Sequence, residues 1–148
     1  MEVQSDFRDL LVLLNEHRVE YVIVGGHALA FHGAPRYTGD IDVFVRPDPE
    51  NAGRIIAALD SFGFGSVGLT AADFTEVDQV VQLGVPPVRV DFITSLTGVS
   101  WEEAFAGRAE GEYGGVPVHY IGRNELISNK RALGRKRDLA DLEALGED

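Results

Sequence analysis

Three aspartates are the residues best placed to do chemistry in this chain. Asp40 and Asp42 stand one residue apart in "TGDIDVFV", and Asp91 stands in "VRVDFIT". Both stretches read as strands rich in β-branched residues, and side chains on a strand alternate between its two faces. Asp40 and Asp42 therefore share a face with Phe44, opposite Ile41, Val43 and Val45. Asp91 faces away from Val88, Val90 and Phe92. If the two strands are neighbours in one sheet, the three carboxylates meet at one point. Like charges so placed repel one another and lose hydration, so a cation has to offset them. Three oxygen donors suit Mg²⁺ or Mn²⁺ and are poor ligands for a soft metal. Two such ions held by Asp40, Asp42 and Asp91 can bind nucleotide phosphates, activate an attacking hydroxyl and stabilise the leaving oxygen. For each aspartate alone, the structural alternative is a turn residue, a cap or a partner of Arg36 or Arg89.

Ahead of the aspartates, Gly25-Gly26 interrupts "YVIVGGHALAFHG" between a strand pattern and a short helical one. Glycines there let backbone N–H groups approach a ligand closely, and a plain tight turn is the structural alternative. The remaining polar residues have structural readings. His27 is placed to touch a phosphate or to act as a local cap, and His32 packs or caps the end of the short helix. His17 and His119 have no partner at ligand spacing, and Trp101 reads as a packing anchor. Asp138 and Asp141 read as structural partners of Arg135 or Arg137.

The elements that must position these residues alternate along the 148-residue chain. Phe7, Leu10, Leu11 and Leu14 have helical spacing, with Ser5 or Asp6 as N-cap. "YVIV" and "IDVFV" are buried strands. "RPDPENAGRIIAALDSFG" is a helix opened by Asp48-Pro49 and stopped by Gly63. "FGSVGLTAADFTEVD" reads as irregular. "QVVQLG" and "VRVDFIT" flank the Gly84–Pro87 break as a hairpin. "SWEEAFAGR" is a short helix capped by Ser100, "GVPVHYI" a strand, and Asn124 to Leu145 helical with a break at Gly134. No repeat or linker divides the chain, so residues 1–148 are expected to form a single α/β or α+β domain, a mixed sheet flanked by helices.

The absence of cysteine excludes disulfides, thiolate catalysis and cysteine zinc sites. "MEVQSDFRDLLVLL" has no basic region before an apolar one, and no apolar run reaches membrane-spanning length, which leads to the expectation of a cytoplasmic protein. The formal net charge of −11 speaks against general nucleic-acid binding. Yet Arg123, Lys130, Arg131, Arg135, Lys136 and Arg137 gather six of the 13 basic residues in one segment. That suits a small polyanion such as a nucleoside triphosphate, or a solvated helix paired with Asp138, Asp141 and Glu143.

"VGGHALAFHGAPRYTGDIDVFV" resembles the signature of the polymerase-β-like nucleotidyltransferases: a glycine turn, a short helix, then Asp-x-Asp on a strand. Together with "LISNKRALGRKRDLADLEAL" it is similar to the bacterial branch of AbiEii-type toxin nucleotidyltransferases and their minimal relatives. The resemblance implies the nucleotidyltransferase fold and transfer of an NMP from an NTP to an acceptor hydroxyl, with two Mg²⁺ or Mn²⁺ ions and release of pyrophosphate. Gly25 and Gly26 would cradle the triphosphate, with Lys130 and Arg36 on phosphate. Asp40 and Asp42 would hold the ions, and Asp91 would complete one metal site and take the acceptor's proton. Many members have serine as the second residue of the glycine turn, where this chain has Gly26, so one side-chain donor is absent. The toxin-type members imply an RNA end or a protein as acceptor, with a small molecule also open and a partner protein expected in a toxin–antitoxin setting. A catalytically silent, antitoxin-like partner and a metal-dependent phosphohydrolase are the alternatives.

Overall fold

A computed structural model describes residues 3–35, 38–64, 68–85 and 88–147. Strands β1 (Tyr21–Val24), β2 (Asp40–Val45), β3 (Val80–Val85), β4 (Val88–Ile93), β5 (Ala109–Tyr113) and β6 (Val116–Tyr120) form one sheet in the order β3-β4-β2-β1-β6-β5. The sheet is mixed: β2 runs parallel to β4 and β1 parallel to β6, while β1–β2, β3–β4 and β5–β6 are antiparallel. Among the described residues six α-helices accompany it: α1 (Ser5–Glu16), α2 (Gly25–Phe31), α3 (Pro49–Phe62), α4 (Trp101–Ala106), α5 (Arg123–Leu133) and α6 (Lys136–Ala144). The expected α+β architecture is the observed one.

The alternation on β2 decides which face does what. Ile41, Val43 and Val45 are fully buried, with Val90 and Phe92 of β4 beside the first two. Phe74 meets Phe92 edge-on with ring centroids 5.9 Å apart. It comes from a 3₁₀ turn at Ala71–Phe74, in the span read as irregular, and this turn packs on α3, which packs on α1. On the other face Phe44 meets Trp101 of α4 edge-on at 5.3 Å. Trp101 also stacks on Phe105 at 5.1 Å, so it is the packing anchor its position suggests.

Local chemistry fixes most helix ends. The Asp48 carboxylate accepts from the Asn51 backbone N–H at 2.7 Å, Pro49 fills the first helical position, and Gly63 ends α3 with φ +106°. Ser100 and Glu103 form a reciprocal capping box on α4. Two expectations fail. The N-cap of α1 is Gln4, not Ser5 or Asp6, and its backbone N–H donates to the Tyr113 hydroxyl at 2.8 Å. A tertiary contact replaces the local cap. Strand β5 was not expected at all. "AEGEY" buries only Tyr113 and turns Glu110 and Glu112 to solvent, as a sheet edge permits. Its sequence signal was the Gly114-Gly115 pair after it, a two-residue hairpin loop with φ +58° and +83°.

Candidate active site

The parallel pairing of β2 with β4 brings the carboxylates together. Asp42 stands in register with Asp91 and Asp40 with Arg89, all on the Phe44 face. A cavity of about 640 Å³ opens over them, lined by these four residues and by Gly25, Gly26 and Thr38 on one side. Asn129, Lys130, Leu133, Arg135 and Arg137 from α5, α6 and their connection line the other. Asp40, Asp42, Asp91, Gly25, Gly26 and Lys130 thus surround one space. Arg36 lies outside the described residues.

Arg89 answers the sequence's question about the offsetting cation. Its Nε donates to Asp91 Oδ1 and its Nη2 to Asp91 Oδ2, both at 3.1 Å, and Nη2 lies 3.3 Å from Asp40 Oδ2. Asp42 is left outside this fork. Burial first, then the Asp91 and Asp40 carboxylates, push its pKa up to about 6, and Arg89 opposes the rise. Asp42 and Asp91 lie within hydrogen-bonding reach of each other, a smaller cause of the same rise.

Gly25 is required by contact as well as by conformation, Gly26 by contact. Gly25 has φ +68°, and a Cβ there would run into the Asp42 carboxyl group. A Cβ on Gly26 would lie 2.8 Å from Thr38 Cβ. Instead of forming a separate turn, the two residues are the first of α2 itself. His27, next in line, faces away from the cavity. It is buried edge-on between Phe7 at 6.0 Å and Tyr113 at 5.7 Å, and burial lowers its pKa. His32 contacts the Ile121 carbonyl through Nε2 at 2.7 Å, the end-of-helix packing expected of it.

Lys130 sits in the cavity wall but is only 5% exposed. Its Nζ lies 2.9 Å from Asp141 Oδ2 and 3.5 Å from Asp138 Oδ1. Arg135 grips the same Asp138, Nε to Oδ2 at 2.6 Å and Nη2 to Oδ1 at 3.2 Å, and lowers its pKa to about 2. The two aspartates of "RDLAD" are therefore structural partners, Asp138 of Arg135 and Lys130, and Asp141 of Lys130. Thr38, Arg89, Asn129 and Leu133 line the cavity without having been assigned to it from the sequence, whereas Arg135 and Arg137 belong to the basic segment singled out there. For Arg89 the signal was present: it stands two residues before Asp91, hence on the same strand face.

Among the described residues, no three metal-ligating side chains converge closely enough to hold an ion as they stand. Asp40 and Asp91 give their oxygens to Arg89 instead. In chemistry the set does fit: three hard oxygen donors on one face, with the carboxylates of Asp91 and Asp40 raising the pKa of Asp42.

No protein-family model matches the chain, and the comparison with curated proteins also found no match. Similarity emerges in three dimensions. The solution structure of the antibiotic-resistance factor ANT(2'')-Ia superposes with a TM-score of 0.62 over 95% of this chain and 80% of that one, at 15% identity. The crystal structure of ANT(2'')-Ia in complex with adenylyl-2''-tobramycin gives 0.61 over 95% and 86%, at 15% identity. The lincomycin-bound lincosamide antibiotic adenylyltransferase LnuA gives 0.60 over 97% and 96%, at 16% identity. The chain has the nucleotidyltransferase fold. At these identities the likeness is one of backbone architecture. No helix among the described residues is long and apolar enough to cross a membrane.

Proposed function

We propose that the protein is a metal-dependent nucleotidyltransferase that moves a nucleoside monophosphate from an NTP to an acceptor hydroxyl. The observation that carries this reading is the in-register placement of Asp42 beside Asp91, with Asp40 on the same face, under a cavity walled by α5 and α6. Asp40, Asp42 and Asp91 would hold the divalent ions, Mg²⁺ or Mn²⁺. When bound, such ions supply positive charge to the triphosphate and make the acceptor hydroxyl more acidic. The chain's own residues do the rest by positioning. Gly25 and Gly26 line the cavity beside Asp42 and offer backbone to the phosphates, as the resemblance implies. Arg135 and Arg137 line the opposite wall, and Lys130 holds its charge at the same wall through Asp138 and Asp141. Asp91 takes the proton as the acceptor oxygen bonds to the α-phosphorus. The bond from that phosphorus to the bridging oxygen breaks, and pyrophosphate leaves.

An RNA end, a protein side chain and a small molecule all present the hydroxyl this reaction needs. The sequence motifs favour the AbiEii-type branch and with it an RNA end or a protein. The antibiotic-modifying proteins that share the fold favour a small molecule. The test incubates the protein with each α-labelled NTP, Mg²⁺ and a cell extract. Label in an RNase-sensitive, a protease-sensitive or a low-molecular-weight fraction identifies the acceptor class. Free NMP without labelled acceptor replaces transfer by phosphohydrolysis. No label and no pyrophosphate above background leaves a silent, antitoxin-like partner.

A further inference from the structure

We propose that Arg89 is a built-in stand-in for the metal: it positions Asp40 and Asp91 in the metal-free protein and competes with a divalent ion for their charge. This rests on the reading above that the three carboxylates are the metal ligands. The pairing of β2 with β4 makes the arrangement unavoidable. Arg89 lies two residues before Asp91 on one strand face and directly opposite Asp40 on the neighbouring strand. Its guanidinium engages both Asp91 oxygens at 3.1 Å and Asp40 Oδ2 at 3.3 Å. A planar fork matched to a carboxylate in this way forms the stronger kind of charged hydrogen bond. The fork takes one lone pair on each Asp91 oxygen and Nη2 one on Asp40 Oδ2, so a divalent ion at these carboxylates competes with Arg89 for their charge.

Two of the neighbouring cations are committed elsewhere. Lys130 is engaged by Asp138 and Asp141, and Arg135 by Asp138. Asp91 is 8% exposed, so it has little water to fall back on. The Arg89 side chain itself is 31% exposed and borders the cavity, so it can swing outward without disturbing the core. Metal binding is then an exchange of one cation for another, and the guanidinium sets its threshold.

The test titrates Mn²⁺ into wild-type protein and the Arg89→Gln and Arg89→Lys variants, without nucleotide, followed by electron paramagnetic resonance of the free ion. Thermal unfolding in EDTA and in Mn²⁺ runs in parallel. Arg89→Gln is expected to bind Mn²⁺ roughly tenfold more tightly, which corresponds to about 1.4 kcal/mol. It should also unfold earlier than wild type in EDTA and gain more from Mn²⁺. Arg89→Lys, which keeps the charge and loses the fork, is expected to fall between and serves alone if Arg89→Gln does not fold. Affinity that is equal or weaker in the variants overturns the proposal while leaving the metal site intact. Absence of Mn²⁺ binding in every protein, with or without NTP, overturns the metal-ligand reading and the proposal together.

Discussion

Asp42→Asn is the most informative single change, because the site makes Asp42 costly in the metal-free protein and indispensable in the loaded one. The Asp42 carboxyl ionises near 3.8 in an unfolded chain and near 6 in the folded one. Between those values the folded protein binds more protons than the unfolded one, so stability falls as pH rises through the window. Below it Asp42 costs nothing; above it the full penalty is present, on the order of 3 kcal/mol at 1.36 kcal/mol per pH unit. An asparagine cannot ionise, fits the same volume and can donate from its amide to Asp91. In EDTA at pH 8 the variant should therefore unfold roughly 6–12 °C above wild type, given about 2–4 °C per kcal/mol for a chain of this size. At pH 4 the two should coincide. Mn²⁺ should stabilise wild type and leave the variant nearly unmoved. Thermal unfolding by circular dichroism from pH 4 to 8, with and without the ion, reads all three. A variant less stable than wild type at pH 8 in EDTA would refute the repulsion argument and make Asp42 a structural partner.

Further outcomes follow from the same contacts. Lys130→Met strips the ammonium from Asp138 and Asp141, both buried, and should cost about 3 kcal/mol in urea unfolding; a loss under about 1 kcal/mol would leave Lys130 a phosphate contact only. Gly25→Ala forces a side chain to φ +68° and into Asp42, so about 2 kcal/mol of stability should go, together with a measurable part of the Mn²⁺ affinity in a titration. Asp138 is held at about 2, against 3.8 unfolded, chiefly by Arg135; its contribution is complete above pH 4 and lost as pH falls towards 2. With the opposite slope of Asp42, stability of the metal-free protein should peak near pH 4, and Arg135→Ala should flatten the acid side of a pH series of melting temperatures.

Local rules carried the sequence reading furthest where the signal was local. The caps of α3 and α4, the β3–β4 hairpin and the break at Gly134 all follow from neighbouring residues. What depends on distant partners was less visible. The α1 cap is provided by Tyr113, more than one hundred positions away. Strand β5 is held by its pairing with β6, not by apolar content. At the site, period-two alternation placed Asp40, Asp42 and Asp91 on one face only if β2 and β4 were neighbours, and that adjacency is a tertiary fact. Arg89 was nameable as a partner from the sequence, but its hold on two carboxylates at once required the register.

The basic segment shows why charge along a chain is a poor guide to charge in a site. Its six cations resemble a binding rim in the sequence. Folded, Arg123 donates to the Leu145 carbonyl, Arg131 faces Glu147, and Lys130 and Arg135 are committed to Asp138 and Asp141. Much of the segment thus seats α6 against α5. What remains around the cavity is three carboxylates against one guanidinium, with Arg137 on the far wall. Such a space repels a triphosphate on its own, since each phosphate would join charges the fold has only partly offset. Added cations reverse that balance. The acidic excess that argues against nucleic-acid binding by the body of the protein therefore argues, at this one place, for nucleotide entering together with its metal. Calorimetric titration of ATP should accordingly show binding in Mg²⁺ and at least tenfold weaker binding in EDTA, the factor expected for about 1.4 kcal/mol of uncompensated repulsion; equal affinity in both would remove the electrostatic basis of the proposed reaction.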